Sequence, residues 1–269
     1  MDDTRDKKLQ HRIQKKQALM MDNTVEILSY GILISGTIGF LLLVSGIRAP
    51  YGRYSQQFHP SISAKLAWFI QEIPSLYIPF YNLTTGIIDL SLINALILIL
   101  FCLHYTNRAL IYPFLIKGNT KTPIYLVLLG FLFCTVNGYI QSIWHSHNVV
   151  YNNSLKDIVF CFIGTIIFIV GMIINITSDS ILRNLRKNGK SDYKIPHGGL
   201  FKYISGANFF GECIEWIGYA LLARTLPAFA FAFFTFCNLA PRAYQHHRWY
   251  REKFDNYPKD RKAFIPFVI

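Results

Sequence analysis

Long apolar runs constrain this chain more than any other feature. Leu92–Leu103, Ile124–Phe133 and Ile158–Ile176 carry no charged residue. Runs of this kind, approaching about 20 residues, read as membrane-spanning helices. In hydrocarbon every backbone N–H and C=O needs an internal partner, so only helices or a closed barrel can span. The runs do not alternate polar with apolar residues, which selects helices. Composition agrees: 52% of the residues are hydrophobic and 16% charged, against about 25% charged in a soluble domain. The first apolar run is too long for a signal-peptide core and is followed by no small-residue cleavage site. The five cysteines, Cys102, Cys134, Cys161, Cys213 and Cys237, lie in apolar segments without paired spacing. They read as reduced, buried thiols.

The expected fold is all-α: an integral membrane bundle of about seven transmembrane helices, without a Rossmann domain. The spans are Thr24–Val44, Ser63–Tyr81, Ile88–Arg108, Pro123–Trp144, Ile158–Thr177, Phe209–Leu222 and Pro227–Tyr244. The second, sixth and seventh are the weakest, because they carry Glu, Pro or Gly. Residues 24–269 form one domain, preceded by a basic tail, residues 1–23, expected to be flexible. With seven spans, the loops Ile47–Ile62, Ala109–Thr122 and Ser178–Asn208 share a side with the C-terminal segment. That side holds most of the 27 Lys and Arg residues and is expected to be cytosolic, with the N-terminus lumenal. The cluster of Arg5, Lys7, Lys8, Arg12, Lys15 and Lys16 runs against that rule. Either it lies too far out to weigh, or the span count differs by one. Basic loops facing anionic lipid account for the net charge of +12; no free basic helix or aromatic platform points to nucleic acid.

Ionisable residues inside spans are costly and mark functional sites. Trp68 and Glu72, four apart, share a helix face. Tyr105, Arg108 and Tyr112 fall at i, i+3 and i+7. An interfacial aromatic belt with a snorkelling Arg explains Arg108 and Tyr112 equally well. Asn175, Asp179, Arg183 and Arg186 line one face that runs into the most basic loop. Such a mixture suits a phosphate-bearing ligand, although i, i+4 ion pairs on a solvated helix end explain it as well. Asn208, Glu212, Glu215 and Tyr219 repeat the pattern inside an apolar span, where the two carboxylates need partners within the bundle. Arg242, His246 and Tyr250 recur every four residues. The adjacent His246 and His247 face different ways and no acidic or thiol cluster joins them, so a metal is not expected. No Gly-x-Gly-x-x-Gly turn or Walker loop appears, so a dinucleotide would be held by side chains of the bundle.

Beyond these spacings, the C-terminal third resembles the steroid 5α-reductase (3-oxo-5α-steroid 4-dehydrogenase) family. The resemblance rests on Ile195-Pro196-His197-Gly198-Gly199-Leu200-Phe201, on Ser205-Gly206-Ala207-Asn208-Phe209-Phe210-Gly211-Glu212, on Glu215-Trp216-Ile217-Gly218-Tyr219-Ala220 and on Tyr257-Pro258-Lys259. Upstream, Ala67-Trp68-Phe69-Ile70-Gln71-Glu72 and Phe101-Cys102-Leu103-His104-Tyr105 are similar to the same family, which the chain follows from Tyr51 to Ile269. The resemblance implies a multi-pass enzyme of the endoplasmic-reticulum membrane that uses NADPH, with Glu72 and Tyr105 as the catalytic pair. It implies a cofactor site lined by Asn175, Asp179, Arg186, Tyr193, Lys194, Asn208, Glu212, Arg242, His246 and Tyr250. Trp68, Gln71, Glu72, Tyr105, Arg108 and Trp216 are then the expected contacts to a steroid entering from membrane lipid. Two positions depart from the pattern: Lys194 stands where Arg is also used, and Thr177 where His is common.

The implied reaction is hydride transfer to C5 of a 3-oxo-Δ4 steroid, with the pair polarising the C3 carbonyl. Reduction of another lipid enone or enal, an enoyl thioester or a polyprenol aldehyde, is the nearest alternative. An isoprenylcysteine methyltransferase-like enzyme or a non-enzymatic lipid-binding bundle are the others.

Overall fold

The computed structural model describes residues 3–50, 59–85, 90–149, 151, 154–185 and 193–269, with side chains from Met20 onward. Seven long helices make the bundle: α1 (Asp3–Val44), α2 (Ala64–Thr84), α3 (Leu92–Tyr105), α5 (Ile124–Ile143), α6 (Leu155–Asn184), α7 (Ala207–Ala223) and α8 (Leu226–Lys253). A one-turn α4 (Tyr112–Leu115) follows a π-helical segment, Thr106–Ile111, that prolongs α3. The order and placement match the expected spans. Among the described residues, four helical segments, Met20–Val44, Leu92–Leu115, Ile124–Asn148 and Leu155–Asn184, are long and apolar enough to cross a membrane on their own. α7 is too short, at 17 residues, and α2 and α8 carry more polar residues.

The distribution of polarity is that of a membrane protein. Large apolar side chains such as Ile27, Ile34, Leu128, Leu132, Phe162, Ile166 and Phe229 face outward. Asn137, Gln141, His145 and Glu215 are fully buried. Lipid tails supply no hydrophobic drive between helices, so close packing and internal hydrogen bonds hold the bundle together.

The backbone of α1 begins at Asp3 and runs unbroken through the basic stretch expected to be a flexible tail. No Gly or Pro occurs before Gly31, and Lys, Arg, Gln and Leu are good helix formers.

A short antiparallel ladder sets the start of two helices. β1 (Ser61–Ser63) pairs with β2 (Lys121–Pro123) in the register Ser61↔Pro123, Ile62↔Thr122 and Ser63↔Lys121. Each strand leads directly into a helix, so α2 and α5 start side by side. The Ser63 hydroxyl caps α2 by accepting from Leu66 N. The ladder also joins the loops Ile47–Ile62 and Ala109–Thr122, which seven spans place on one side.

Glycines decide how near the helices come. A Cβ on Gly138 of α5 would lie 3.0 Å from Ser75 Cα and 3.1 Å from the Pro74 carbonyl of α2. Gly164 and Gly171 of α6 meet Gly218 and Gly211 of α7. A Cβ on Gly164 would lie 2.6 Å from Leu222 N, and one on Gly211 2.6 Å from Asn175 N. The two backbones therefore touch along much of their length. α1 packs on α8, and α7 also packs on α8.

The C-terminal segment folds back onto the entry to α7. Ser205 N and Gly206 N donate to the Lys262 and Ala263 carbonyls at 2.9 and 3.0 Å. Arg261 Nη1 donates to the Pro196 carbonyl at 3.2 Å. These bonds brace the end of the bundle where the polar residues of α6, α7 and α8 collect.

Candidate active site

The contact between α6 and α7 brings their two polar faces together. Asn175 Nδ2 donates to the Asn208 carbonyl at 3.0 Å and to Glu212 Oε2 at 3.3 Å. Asn208 Nδ2 donates to Asp179 Oδ1 at 3.0 Å. The two runs of i, i+4 spacing read from the sequence are thus one cluster across a helix pair. Asn175 and Asp179 are buried, while Asn208 and Glu212 keep part of their surface open.

The π-helical segment after α3 delivers a cation to this cluster. Arg108 Nη1 lies 3.1 Å from Asp179 Oδ2, and Nη2 lies 3.3 Å from Glu212 Oε2. Its guanidinium also stacks 4.6 Å from the Trp68 ring and 5.0 Å from the Tyr112 ring. Arg108 is therefore the joint between the α2 face that carries Trp68 and the carboxylates of α6 and α7. Arg183 stacks 5.8 Å from the same Tyr112 ring. One turn before Arg108, His104 Nδ1 meets Glu215 Oε1 at 2.8 Å. Each carboxylate of α7 thus has a partner from the α3 rod: an arginine for Glu212 and a histidine for Glu215.

Glu72 and Tyr105 gather against α5. Gln71 Nε2 donates to Glu72 Oε1 at 3.0 Å, and Cys134 Sγ donates to Glu72 Oε2 at 3.6 Å. Three residues after Cys134, Asn137 Nδ2 donates to the Tyr105 hydroxyl oxygen at 3.4 Å. Ser75, one turn beyond Glu72, lies against the Tyr105 phenol. Its hydroxyl donates to the Cys134 carbonyl at 2.8 Å. The Tyr105 ring packs 4.7 Å from Phe101 and 6.2 Å from Trp216. Trp216 is fully buried at the centre of an aromatic cluster with Phe101, Phe168, Tyr219 and Phe231.

At the end of the bundle, α8 lays two more of the expected residues beside this cluster. The Arg242 guanidinium sits 5.0 Å from the Phe209 ring and the His246 ring 5.5 Å from it. Phe209 directly follows Asn208, so Arg242 and His246 reach the same end of the α6–α7 pair. His247 faces the other way, as expected, with Nδ1 2.7 Å from Ser205 Oγ. Tyr250 stacks 5.4 Å from Tyr257, and Tyr193 sits edge-on 5.2 Å from Trp249. Lys194 is exposed, and Arg186 lies outside the described residues. Among those residues, no group of three or more His, Cys, Asp or Glu could hold a metal ion.

Several buried groups at this centre carry no signal among the ionisable residues of the sequence. Asn137 and Gln141, four apart in α5, form an amide pair: Gln141 Nε2 donates to Asn137 Oδ1 at 3.2 Å and to the Pro227 carbonyl at 2.9 Å. Tyr219 OH donates to Gln141 Oε1 at 3.2 Å. Amides at i and i+4 inside an apolar run are the trace they leave in the sequence. Ser75 and Cys134 leave none, because small weakly polar residues are common in spans.

The chemistry available is now defined. One end of the bundle offers carboxylates and amides that hydrogen-bond hydroxyl and amide groups, flanked by Arg242 and His246, which suit phosphate. Deeper in, a carboxyl and a phenol converge beneath aromatic and aliphatic walls. The class is a membrane-spanning helical bundle with a buried polar centre that continues into a cluster of carboxylates and amides at one end.

Comparison with known proteins places the chain within that class. The sequence profile of 3-oxo-5-alpha-steroid 4-dehydrogenase matches residues 120–269. The chain is 45% identical to 3-oxo-5-alpha-steroid 4-dehydrogenase 1 of Bos taurus, over 91% of this chain and 97% of that protein. It is 47% identical to 3-oxo-5-alpha-steroid 4-dehydrogenase 1 of Rattus norvegicus, over 88% and 94% of the two chains. Against 3-oxo-5-alpha-steroid 4-dehydrogenase 2 of Homo sapiens the identity is 45%, over 86% and 92%. The chain belongs to the 3-oxo-5-alpha-steroid 4-dehydrogenase family.

Proposed function

We propose that this protein reduces the Δ4 double bond of 3-oxo-Δ4 steroids to 5α-3-oxosteroids, with NADPH as the hydride donor. The observation that carries the reading is the convergence of Glu72 and Tyr105 on one face of α5, with Arg108 joining that side of the bundle to Asp179 and Glu212. The relatives named above act, by their names, on 3-oxo-5α-steroids.

The residues at the polar end fit the cofactor. Asn175, Asp179, Asn208 and Glu212 offer acceptors and donors for ribose hydroxyls and a carboxamide; Arg242 and His246, with Arg186, Tyr193, Lys194 and Tyr250, would hold phosphate and adenosine groups. When bound there, NADPH supplies the hydride that adds to C5. As that bond forms, the C4–C5 π electrons move toward the C3 oxygen, which becomes an enolate. Tyr105 donates a hydrogen bond to that oxygen and Glu72, as a neutral carboxylic acid, donates a second, an arrangement of the oxyanion-hole kind. A proton then adds at C4. Trp68, Gln71, Arg108 and Trp216 wall the steroid pocket, and exclusion of water strengthens each polar contact.

We place the protein in the endoplasmic-reticulum membrane, with the basic loops and the C-terminus cytosolic and the N-terminus lumenal. The excess of Lys and Arg in the loops of one side supports this orientation.

The test is NADPH consumption by membranes containing the protein, with a panel of Δ4-3-ketosteroids and a long-chain trans-2-enoyl thioester as competing substrates. Reduction of the steroids is expected. Reduction of the thioester alone would assign the chain to a different lipid enone.

A further inference from the structure

The mechanism above uses Tyr105 as a hydrogen-bond donor, yet a phenol can equally accept. We infer that Asn137 is a positioning residue that sets Tyr105 as a donor, and that the direction is imposed by a hydrogen-bond ladder anchored on the Pro227 carbonyl. The inference rests on the steroid reading of the site.

The polarity can be followed step by step. A backbone carbonyl only accepts, so the Pro227 oxygen determines which end of the Gln141 amide faces it: Nε2, at 2.9 Å. The same Nε2 donates to Asn137 at 3.2 Å, which must therefore present Oδ1. Gln141 Oε1 is left to accept from Tyr219 OH at 3.2 Å. With Oδ1 turned to Gln141, Asn137 has only its NH2 group for Tyr105, at 3.4 Å. The phenol oxygen accepts there, and its proton must go elsewhere.

The second neighbour points the same way. Ser75 is no rival donor, because its own proton goes to the Cys134 carbonyl at 2.8 Å. Tyr105 thus accepts from Asn137 and keeps its own proton for another acceptor. A carbonyl oxygen that enters and gains enolate charge takes that proton, because an ionised acceptor makes the stronger bond. Asn137 and Gln141 are both fully buried, so no solvent water competes for the ladder. Amide groups turn through large angles only by breaking these bonds, which keeps the direction from reversing between turnovers.

The decisive variant is Asn137→Asp. It keeps the shape and, once ionised, presents an acceptor in place of the NH2 and draws the Tyr105 proton away from the substrate, so its kcat is read at alkaline pH, where the carboxyl is charged. Asn137→Ala removes the bond without supplying a competing acceptor. The expected order of kcat is wild type, then Asn137→Ala, then Asn137→Asp. Loss of an oxyanion donor lowers kcat by about 10²–10³-fold, and Asn137→Asp should approach that loss. Asn137→Ala should lose about tenfold, as for one neutral hydrogen bond. KM for the steroid and the dissociation constant for NADPH should change little in both. Tyr219→Phe, which deletes only the far hydroxyl and keeps the ring packing, should fold and lose a few-fold in kcat.

A spectroscopic reading separates positioning from packing. With NADP+ in place of NADPH, a bound Δ4-3-ketosteroid does not react, and the infrared stretch of its conjugated carbonyl reports the hydrogen bond from Tyr105. That band should lie lower in wild type than in Asn137→Asp. Equal bands in the two proteins, or a kcat for Asn137→Asp at or above that of Asn137→Ala, would overturn the role of Asn137. Absence of any Δ4-3-ketosteroid reduction by the wild-type protein would instead overturn the steroid reading itself. Should Asn137→Asp fail to fold, Asn137→Ala carries the decision: an unchanged kcat and carbonyl band there would overturn the ladder.

Discussion

Arg108 and Asp179 form a buried ion pair, with Nη1 3.1 Å from Oδ2 and both side chains nearly closed to solvent. The second guanidinium nitrogen serves Glu212 at 3.3 Å, so one cation neutralises carboxylates from two helices. Removing one member of a buried pair leaves an uncompensated charge and costs about 3–5 kcal/mol. Arg108→Met should therefore lower the thermal midpoint of the purified protein and weaken NADPH binding together. Arg108→Lys keeps the charge but offers a compact ammonium that cannot fork to both acceptors, so its midpoint should fall between the two. Thermal unfolding in detergent, with and without NADPH, measures this. A midpoint unchanged in Arg108→Met would remove Arg108 from its bridging role.

The glycines of α6 and α7 predict a separable effect. A Cβ on Gly171 would collide with the backbone of Glu215, one turn from the Asn175–Glu212 bond. One on Gly164 would press on Leu222 at the far end, seven residues and about 10 Å of helix away. Overpacking costs about 1–3 kcal/mol at either place. Gly171→Ala should lower both stability and NADPH affinity, whereas Gly164→Ala should lower stability alone. Unfolding midpoints paired with NADPH titration distinguish the two; equal loss of affinity in both variants would detach the cluster from the helix contact.

These relationships show which parts of the site the sequence makes legible. Asn175 with Asp179, and Asn208 with Glu212, are legible because i, i+4 spacing is a local property of a helix. That the two pairs meet depends on Gly171 and Gly211, whose meaning appears only when the helices are side by side. The spacing of Tyr105, Arg108 and Tyr112 suggests one stripe on a regular helix. The π-helical segment Thr106–Ile111 breaks that regularity. Arg108 and Tyr112 stack with Trp68, while Tyr105 meets Asn137 of α5. The partner of Glu215 is likewise a tertiary fact: His104 lies 111 positions away in the chain. The ladder from Pro227 to Tyr105 joins three helices through uncharged amides, and a search for ionisable residues in apolar runs passes over it.

His247 predicts a pH dependence at the braced end of the bundle. Burial, followed by the charges of Arg251, Arg261 and Lys262, lowers its pKa below the ordinary 6.5. Between the lowered value and 6.5 the unfolded chain binds more protons than the folded one. Stability therefore rises with pH through that window and is lost as pH falls through it. The neutral ring keeps its bond to Ser205, which in turn contacts Tyr257 at 2.6 Å. His247→Gln removes the titrating group, so its unfolding midpoint should fall less steeply than that of wild type below about pH 6.5. Midpoints measured from pH 8 to pH 5 for both proteins check this. Parallel curves would mean that His247 titrates alike in the folded and unfolded states.

Glu72 and Tyr105 predict two losses of turnover that differ from the effects above by leaving the fold alone. Tyr105→Phe keeps the ring that packs on Phe101 and Trp216 and deletes only the hydroxyl at the end of the Asn137 bond. Glu72→Gln keeps the shape and can still take a hydrogen bond from Gln71 at its amide oxygen. Neither change opens a cavity, so expression and unfolding midpoints should stay near those of wild type. Tyr105→Phe takes away an O–H aimed at a developing enolate, and Glu72→Gln replaces an acidic O–H with a weaker N–H donor; full loss of such a donor costs about 10²–10³-fold in kcat, so Tyr105→Phe should show the larger fall. Because the enolate charge exists only in the transition state, kcat should fall while KM for the steroid moves little. Steady-state kinetics with NADPH and a Δ4-3-ketosteroid give both numbers. A raised KM with kcat intact would make the pair a binding contact for the ground-state carbonyl, and the proton donors to the enolate would have to be sought elsewhere in the pocket.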